Sequence, residues 1–175
     1  MNAAVDDTPE HPLDWLDRAA AERRAAGLRR TLRHRAADEP QLDLAGNDYL
    51  GLSRDKRVVD AGVAALRAWG AGSTGSRLVT GSTELHARLE DELAAFVGAE
   101  AGLVFSSGYA ANLGVVTALS GAGSLVVSDG ANHASIVDAC RLSRARVVVT
   151  PHADVAAVDA ALAARTEQRA LVVTD

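Results

Sequence analysis

The chain has 175 residues, 48% of them hydrophobic and 23% charged, and a net charge of −5, which suits one packed domain or a tight pair. The acidic balance argues against a nucleic-acid or anionic-membrane partner, either of which needs clustered positive charge. Cys140 is the single cysteine, which excludes an internal disulfide and a cysteine-cluster metal site and fits a reducing cytoplasm. The polar, acidic first residues are unlike a signal peptide, and no apolar run approaches the ~18 residues of a membrane span. Lys56 is the only lysine among the 18 basic residues.

In chain order, Leu13, Leu16, Ala20, Ala26, Leu28 and Leu32 form one apolar stripe, which predicts a helix over residues 12–35 with its arginines on the solvated side. Pro40 breaks it. Residues 41–45 alternate like a short strand, and Gly46-Asn47-Asp48 signals a turn. Val58, Val59, Val63 and Leu66 predict a helix over residues 55–69, followed by a glycine-rich loop over 70–82. Thr83 can cap the next helix, Leu85, Leu89, Leu93 and Phe96 give its stripe, and Gly98 ends it. From there strands are predicted at 103–105, 125–127, 146–150 and 171–174, with helices at 108–119, 133–142 and 154–164. Short Val/Leu runs alternating with helices indicate a mainly parallel sheet buried on both faces.

Gly70, Gly72 and Gly75 match G-x-G-x-x-G, but a dinucleotide fingerprint follows a strand and opens a helix, and here a helix precedes it. A loop lying close to a ligand or a partner subunit fits better. Ser106-Ser107-Gly108-Tyr109 follows a predicted strand and opens a helix, where free N–H groups and the helix dipole make an anion site. An ordinary strand-to-helix turn with Tyr109 packed beneath it is the other reading. His133, also after a strand and before a helix, can cap, hydrogen-bond or stack on a flat ring. His11, His34, His86 and His152 lack ligand spacing, so no metal site is inferred. Asn47-Asp48 is explained locally as a turn, and Cys140 as a buried inert thiol.

Gly46-Asn47-Asp48-Tyr49-Leu50-Gly51-Leu52, Gly72-Ser73-Thr74-Gly75-Ser76-Arg77, Ser107-Gly108-Tyr109-Ala110-Ala111-Asn112 and Asn132-His133-Ala134-Ser135 together resemble the N-terminal half of an α-oxoamine synthase, in the family's order and spacing. The resemblance implies the cofactor pyridoxal 5'-phosphate. It implies the large domain of the aspartate-aminotransferase-like fold, type I of the pyridoxal-phosphate-dependent transferases, as a three-layer α/β/α arrangement present here incompletely. Residues 1–45 would form a helical arm and first strand, and 46–175 the first part of the cofactor-binding domain. Gly108 and Tyr109 would hold the cofactor phosphate and His133 would stack on its ring. Arg29, or its neighbour Arg30, and Asn47 would contact substrate.

The motifs are most similar to the biotin-pathway branch, which condenses L-alanine with a pimeloyl thioester, on coenzyme A or a carrier protein, and releases CO2. A cytoplasmic homodimer is implied, with no nucleic acid or membrane as partner. This chemistry needs a lysine that binds the cofactor and moves a proton. Lys56, flanked by Asp55 and Arg57, lacks the family's setting for it, so the chain is expected to be an N-terminal portion, inactive alone. The alternatives are another activity of the family, such as that of a 2-amino-3-ketobutyrate ligase, or a catalytically silent domain binding a phosphate ligand or a partner. A nicotinamide dehydrogenase rests only on Gly70, Gly72 and Gly75.

Overall fold

The computed structural model describes residues 11–37 and 43–175. The chain divides into two compact units, Met1–Ala68 and Trp69–Asp175. In the first, helix α1 (Asp14–Ala25) is followed by irregular chain, a single 3-10 turn (Leu52–Arg54) and helix α2 (Lys56–Trp69), whose last residue already belongs to the second unit.

The predicted helix over 12–35 therefore stops ten residues early. Gly27 takes φ +69°, donates its N–H to Arg24 O, and lets Leu28 N–H reach Arg23 O. Those two bonds satisfy the last carbonyls of α1 and turn the chain out of the helix, a geometry glycine adopts without steric cost. The apolar stripe continues past this point in sequence only, and Leu32 is 86% exposed. Of the strand predicted over 41–45, residues 41 and 42 lie outside the described residues. Asp43 Oδ1 accepts the N–H groups of Ala45 and Gly46, which bends the chain at Ala45 and Gly46.

The second unit opens with one π-helical turn (Arg77–Gly81) inside the glycine-rich loop, then helix α3 (Glu84–Val97). Thr83 caps α3 with His86, whose Nδ1 accepts the Thr83 N–H, and Gly98 at φ +72° ends it. Helix α4 (Gly108–Leu119), strand β1 (Ser124–Asp129), helix α5 (Ala134–Leu142), strand β2 (Arg146–Thr150), helix α6 (Val155–Ala163) and strand β3 (Arg169–Val173) then alternate as predicted.

The three strands form a parallel sheet in the order β2-β1-β3, with Val126 beside Val147 on one side and Leu171 on the other. The central strand carries the burial, since Leu125, Val126 and Val127 are at most 1% exposed. Removing such a side chain from water is worth roughly 1.5–3 kcal/mol. On one face Val126 packs with Val116 of α4 and Ile136, Ala139 and Cys140 of α5, closed by Leu113, Ala145, Leu171 and Val173. On the other face Val127 and Val172 look across a cavity of about 240 Å³ toward Val155 and Val158 of α6. The result is the expected α/β/α layering, with the α4–α5 layer filled and the α6 layer looser.

The strand predicted at 103–105 is not a strand. Its central residue spends both backbone groups on side chains: Val104 N–H donates to Glu90 Oε1 at 2.8 Å, and Val104 O accepts from Arg77 Nη1 at 3.0 Å. The segment is extended and pinned, but it joins no ladder with the described strands.

Candidate active site

In the second unit the residues singled out from sequence converge at the carboxyl end of β1, where open α/β sheets hold ligands. Ser107 caps α4: its Oγ accepts the Ala110 N–H at 3.1 Å and its carbonyl accepts the Ala111 N–H at 3.0 Å. The N–H groups of Gly108 and Tyr109 have no partner among the described residues. No acidic side chain occupies the first turn of α4, so the positive end of its dipole is uncompensated. A Cβ on Gly108 would meet nothing within 4 Å, so there is open space beside Gly108.

Two contacts tie the start of α4 to α5. Tyr109 OH donates to Asp138 Oδ2 at 2.6 Å, and Asn112 Nδ2 donates to Ser135 Oγ at 2.9 Å. The Asp138 carboxylate pushes the Tyr109 hydroxyl above its ordinary pKa. Tyr109 is thus not packed beneath the turn; the residue is 43% exposed.

His133 is the N-cap residue of α5, a role usually filled by Ser, Thr, Asp or Asn. Its Nδ1 accepts the Ser135 N–H at 3.2 Å and lies 2.7 Å from Ser135 Oγ. Its own N–H donates to Asp175 Oδ2 just beyond β3. Beside it Asn132 Nδ2 bridges Ser128 Oγ at 3.0 Å and Val173 O at 2.9 Å, joining β1 to β3.

Two buttresses were not foreseen. Asp129 accepts from the N–H groups of Ala131 and Ala153 and from His152 Nδ1, which fixes the loops after β1 and β2; the two backbone donors are the main reason its pKa falls to about 2. Arg77 makes a two-pronged ion pair with Glu90, at 2.6 and 3.1 Å, and also reaches Ser82 Oγ and Val104 O. The guanidinium is the chief cause that lowers Glu90 to about 2. The pair clamps the glycine-rich loop and the 103–105 segment onto α3. No sequence signal marks Glu90 among the other acids of α3, because its partners are 13 and 14 residues away.

Arg29 and Asn47 belong to the first unit. Arg29 is exposed in the irregular chain after α1, as is Arg30. Asn47 is exposed, and its Oδ1 accepts the Tyr49 hydroxyl at 3.3 Å. Asp48 beside it holds the Ser53 hydroxyl at 2.6 Å, which lowers the Asp48 pKa. Cys140 is buried, and burial pushes its thiol up. No helix among the described residues is long and apolar enough to cross a membrane.

A parallel sheet with an anion-ready helix start and a capping histidine at its carboxyl end defines a class, and the sequence agrees: the chain belongs to the aminotransferase class I and II family, whose profile matches residues 39–175. It is 72% identical to the 8-amino-7-oxononanoate synthase of Mycolicibacterium vanbaalenii over 94% of this chain and 43% of that protein. The chain thus spans less than half the length of this curated relative. Among solved structures it is similar to the serine palmitoyltransferase of Sphingomonas wittichii, with 34% identity, TM-score 0.75, and coverage of 93% of this chain and 44% of that one. It is also similar to a high-resolution structure described as SPT with PLP, with 30% identity, TM-score 0.81, and coverage of 93% and 45%.

Proposed function

We propose that the protein of which this sequence forms the site just described catalyses the decarboxylative condensation of L-alanine with a pimeloyl thioester, giving 8-amino-7-oxononanoate for biotin synthesis. A C–C bond forms between alanine Cα and the thioester carbonyl, the thiol leaves, and the alanine carboxylate departs as CO2. The observation that carries this reading is the 72% identity to a synthase of that name over 94% of the chain. The serine palmitoyltransferase likeness stands at 34% and speaks for shared architecture more than shared substrate.

The residues fit pyridoxal phosphate. The unpartnered N–H groups of Gly108 and Tyr109, with open space beside Gly108, suit a phosphate. His133, exposed at the N-terminus of α5 just after β1, is assigned to lie against the planar ring. When bound, the cofactor supplies an electron sink for the pair left at alanine Cα. Arg29 and Asn47 are assigned to substrate contact. A homodimer and a cytoplasmic location complete the reading; the 98% exposed Leu78 in the glycine-rich loop supports contact with a second copy.

The chemistry also needs a lysine. Lys56 is the only one in the sequence, its side chain is 85% exposed, and it is paired with Asp60. It is assigned to the helix surface and not to catalysis. A protein spanning the full length of the relatives, given L-alanine, pimeloyl-CoA and pyridoxal phosphate, should release CoA and form 8-amino-7-oxononanoate detectable by mass spectrometry. The 175-residue chain alone should give none. Turnover with L-serine and palmitoyl-CoA, and none with L-alanine, would reverse the assignment.

A further inference from the structure

The imidazole of His133 is held from behind by a chain of polar groups that the reaction itself does not call for. Asn112 Nδ2 stands 2.9 Å from Ser135 Oγ, and Ser135 Oγ stands 2.7 Å from His133 Nδ1. The direction of this chain is set by a third contact: the Ser135 backbone N–H points at the same Nδ1 at 3.2 Å. A backbone N–H only donates, so Nδ1 must present its lone pair to it. The amide nitrogen of Asn112 likewise only donates, so Ser135 Oγ accepts from it and has its one hydrogen left for Nδ1. Every link then agrees: Asn112 to Ser135, and Ser135 to His133, where the hydroxyl and the backbone N–H share the one lone pair of Nδ1. The ring hydrogen of the neutral imidazole is therefore on Nε2. Ser135 is 0% exposed and Asn112 is half-buried, so the chain is shielded from competing water, whereas His133 itself is exposed.

We propose that Ser135 and Asn112 are positioning residues that fix His133 in one ring orientation and one tautomer, with Nδ1 turned inward and Nε2–H facing the site. The function of this lock rests on the pyridoxal phosphate reading above. A stacking ring gains most when its plane is set before the ligand arrives, because little side-chain freedom is then lost on binding. The same lock leaves Nε2–H as a donor of fixed direction at the edge of the site. The arrangement also explains why a histidine, not a serine or aspartate, caps α5: its Nδ1 satisfies the helix start while its face and far edge stay available.

The test is nitrogen NMR of the imidazoles in 15N-labelled protein without cofactor, with the His133 signals assigned by their loss in His133→Gln. The expected result is a single tautomer protonated at Nε2. A ring protonated at Nδ1, or an even mixture, would overturn the proposal. In Ser135→Ala the backbone contact survives but the hydroxyl is gone. The tautomer ratio should move about two- to tenfold toward the Nδ1–H form, and pyridoxal phosphate affinity should fall by a similar factor. Ser135→Thr, which keeps the hydroxyl, should restore the single tautomer. If Ser135→Ala does not fold cooperatively, Asn112→Ala serves in its place, with a smaller shift in the same direction. An unchanged tautomer ratio in a folded variant refutes the lock. Absence of pyridoxal phosphate binding by a protein spanning the full length of the relatives would instead refute the cofactor reading and leave the tautomer result standing.

Discussion

Ala153 sits at φ +56°, in a region that costs a residue bearing a Cβ roughly 1–2 kcal/mol. It is kept there because Asp129 Oδ2 takes its N–H at 2.9 Å, while the other carboxylate oxygen holds the loop after β1. Glycine would adopt the same turn without that strain, so Ala153→Gly should raise stability by about 1 kcal/mol, read from urea denaturation. Charge at single residues sets the acid limit. Glu90, held by Arg77, and Asp129, held by two backbone N–H groups and His152, both titrate at about 2 in the folded chain, against ordinary values of 4.5 and 3.8. Their folded pKa values are depressed, so their stabilisation is complete above the ordinary values and is lost as pH falls through the folded ones. The denaturation midpoint should therefore decline between about pH 4.5 and pH 2, and Glu90→Gln should flatten part of that decline.

At the scale of elements, the glycine-rich loop shows how a segment without a repeating pattern is still held in place. Its π turn brings Gly81 against Gly75, so a Cβ on Gly81 would stand 2.0 Å from Gly75 O. Backbone cannot yield that much, and Gly81→Ala should cost about 1–3 kcal/mol in chemical denaturation by forcing the turn open. The helices and strands of the second unit were readable because each is bounded by local chemistry: Ser107 before α4, Asp154 Oδ1 accepting the Ala157 N–H before α6, and Gly98 after α3. Two elements were misread for the same reason in opposite directions. The apolar stripe of residues 12–35 implied one long helix, but Gly27 supplied a complete local stop that periodicity alone does not weigh. The Leu103-Val104-Phe105 run implied a strand, but the hydrogen bonds of Val104 went to Glu90 and Arg77, and an apolar run does not show where its backbone groups will be spent.

Across the molecule, the two faces of the sheet differ in how much they carry. The α4–α5 face is closed around Val126, Ile136 and Cys140, whereas the α6 face leaves Val172 47% exposed beside an open cavity. Ile136→Ala should thus cost about 2–5 kcal/mol, as expected for a filled core position. Val172→Ala should cost far less, since half of that side chain already faces solvent, and equal losses at the two positions would contradict this account.

The sequence by itself determined the alternation of strands and helices from α4 onward, the parallel sheet, and the family, because each depends on short-range periodicity, capping residues and motifs a few residues long. It also placed Gly108 and Tyr109 at a helix start and His133 between a strand and a helix, as the structure has them, although the segment before Gly108 is extended and not a strand. Only the tertiary structure decided what surrounds them. The Arg77–Glu90 clamp, the Asp129 bridge between two loops and the Asn112–Ser135–His133 chain each join residues 13 or more positions apart. Such contacts depend on how helices pack across the sheet, and no local pattern encodes which of many similar polar side chains will meet.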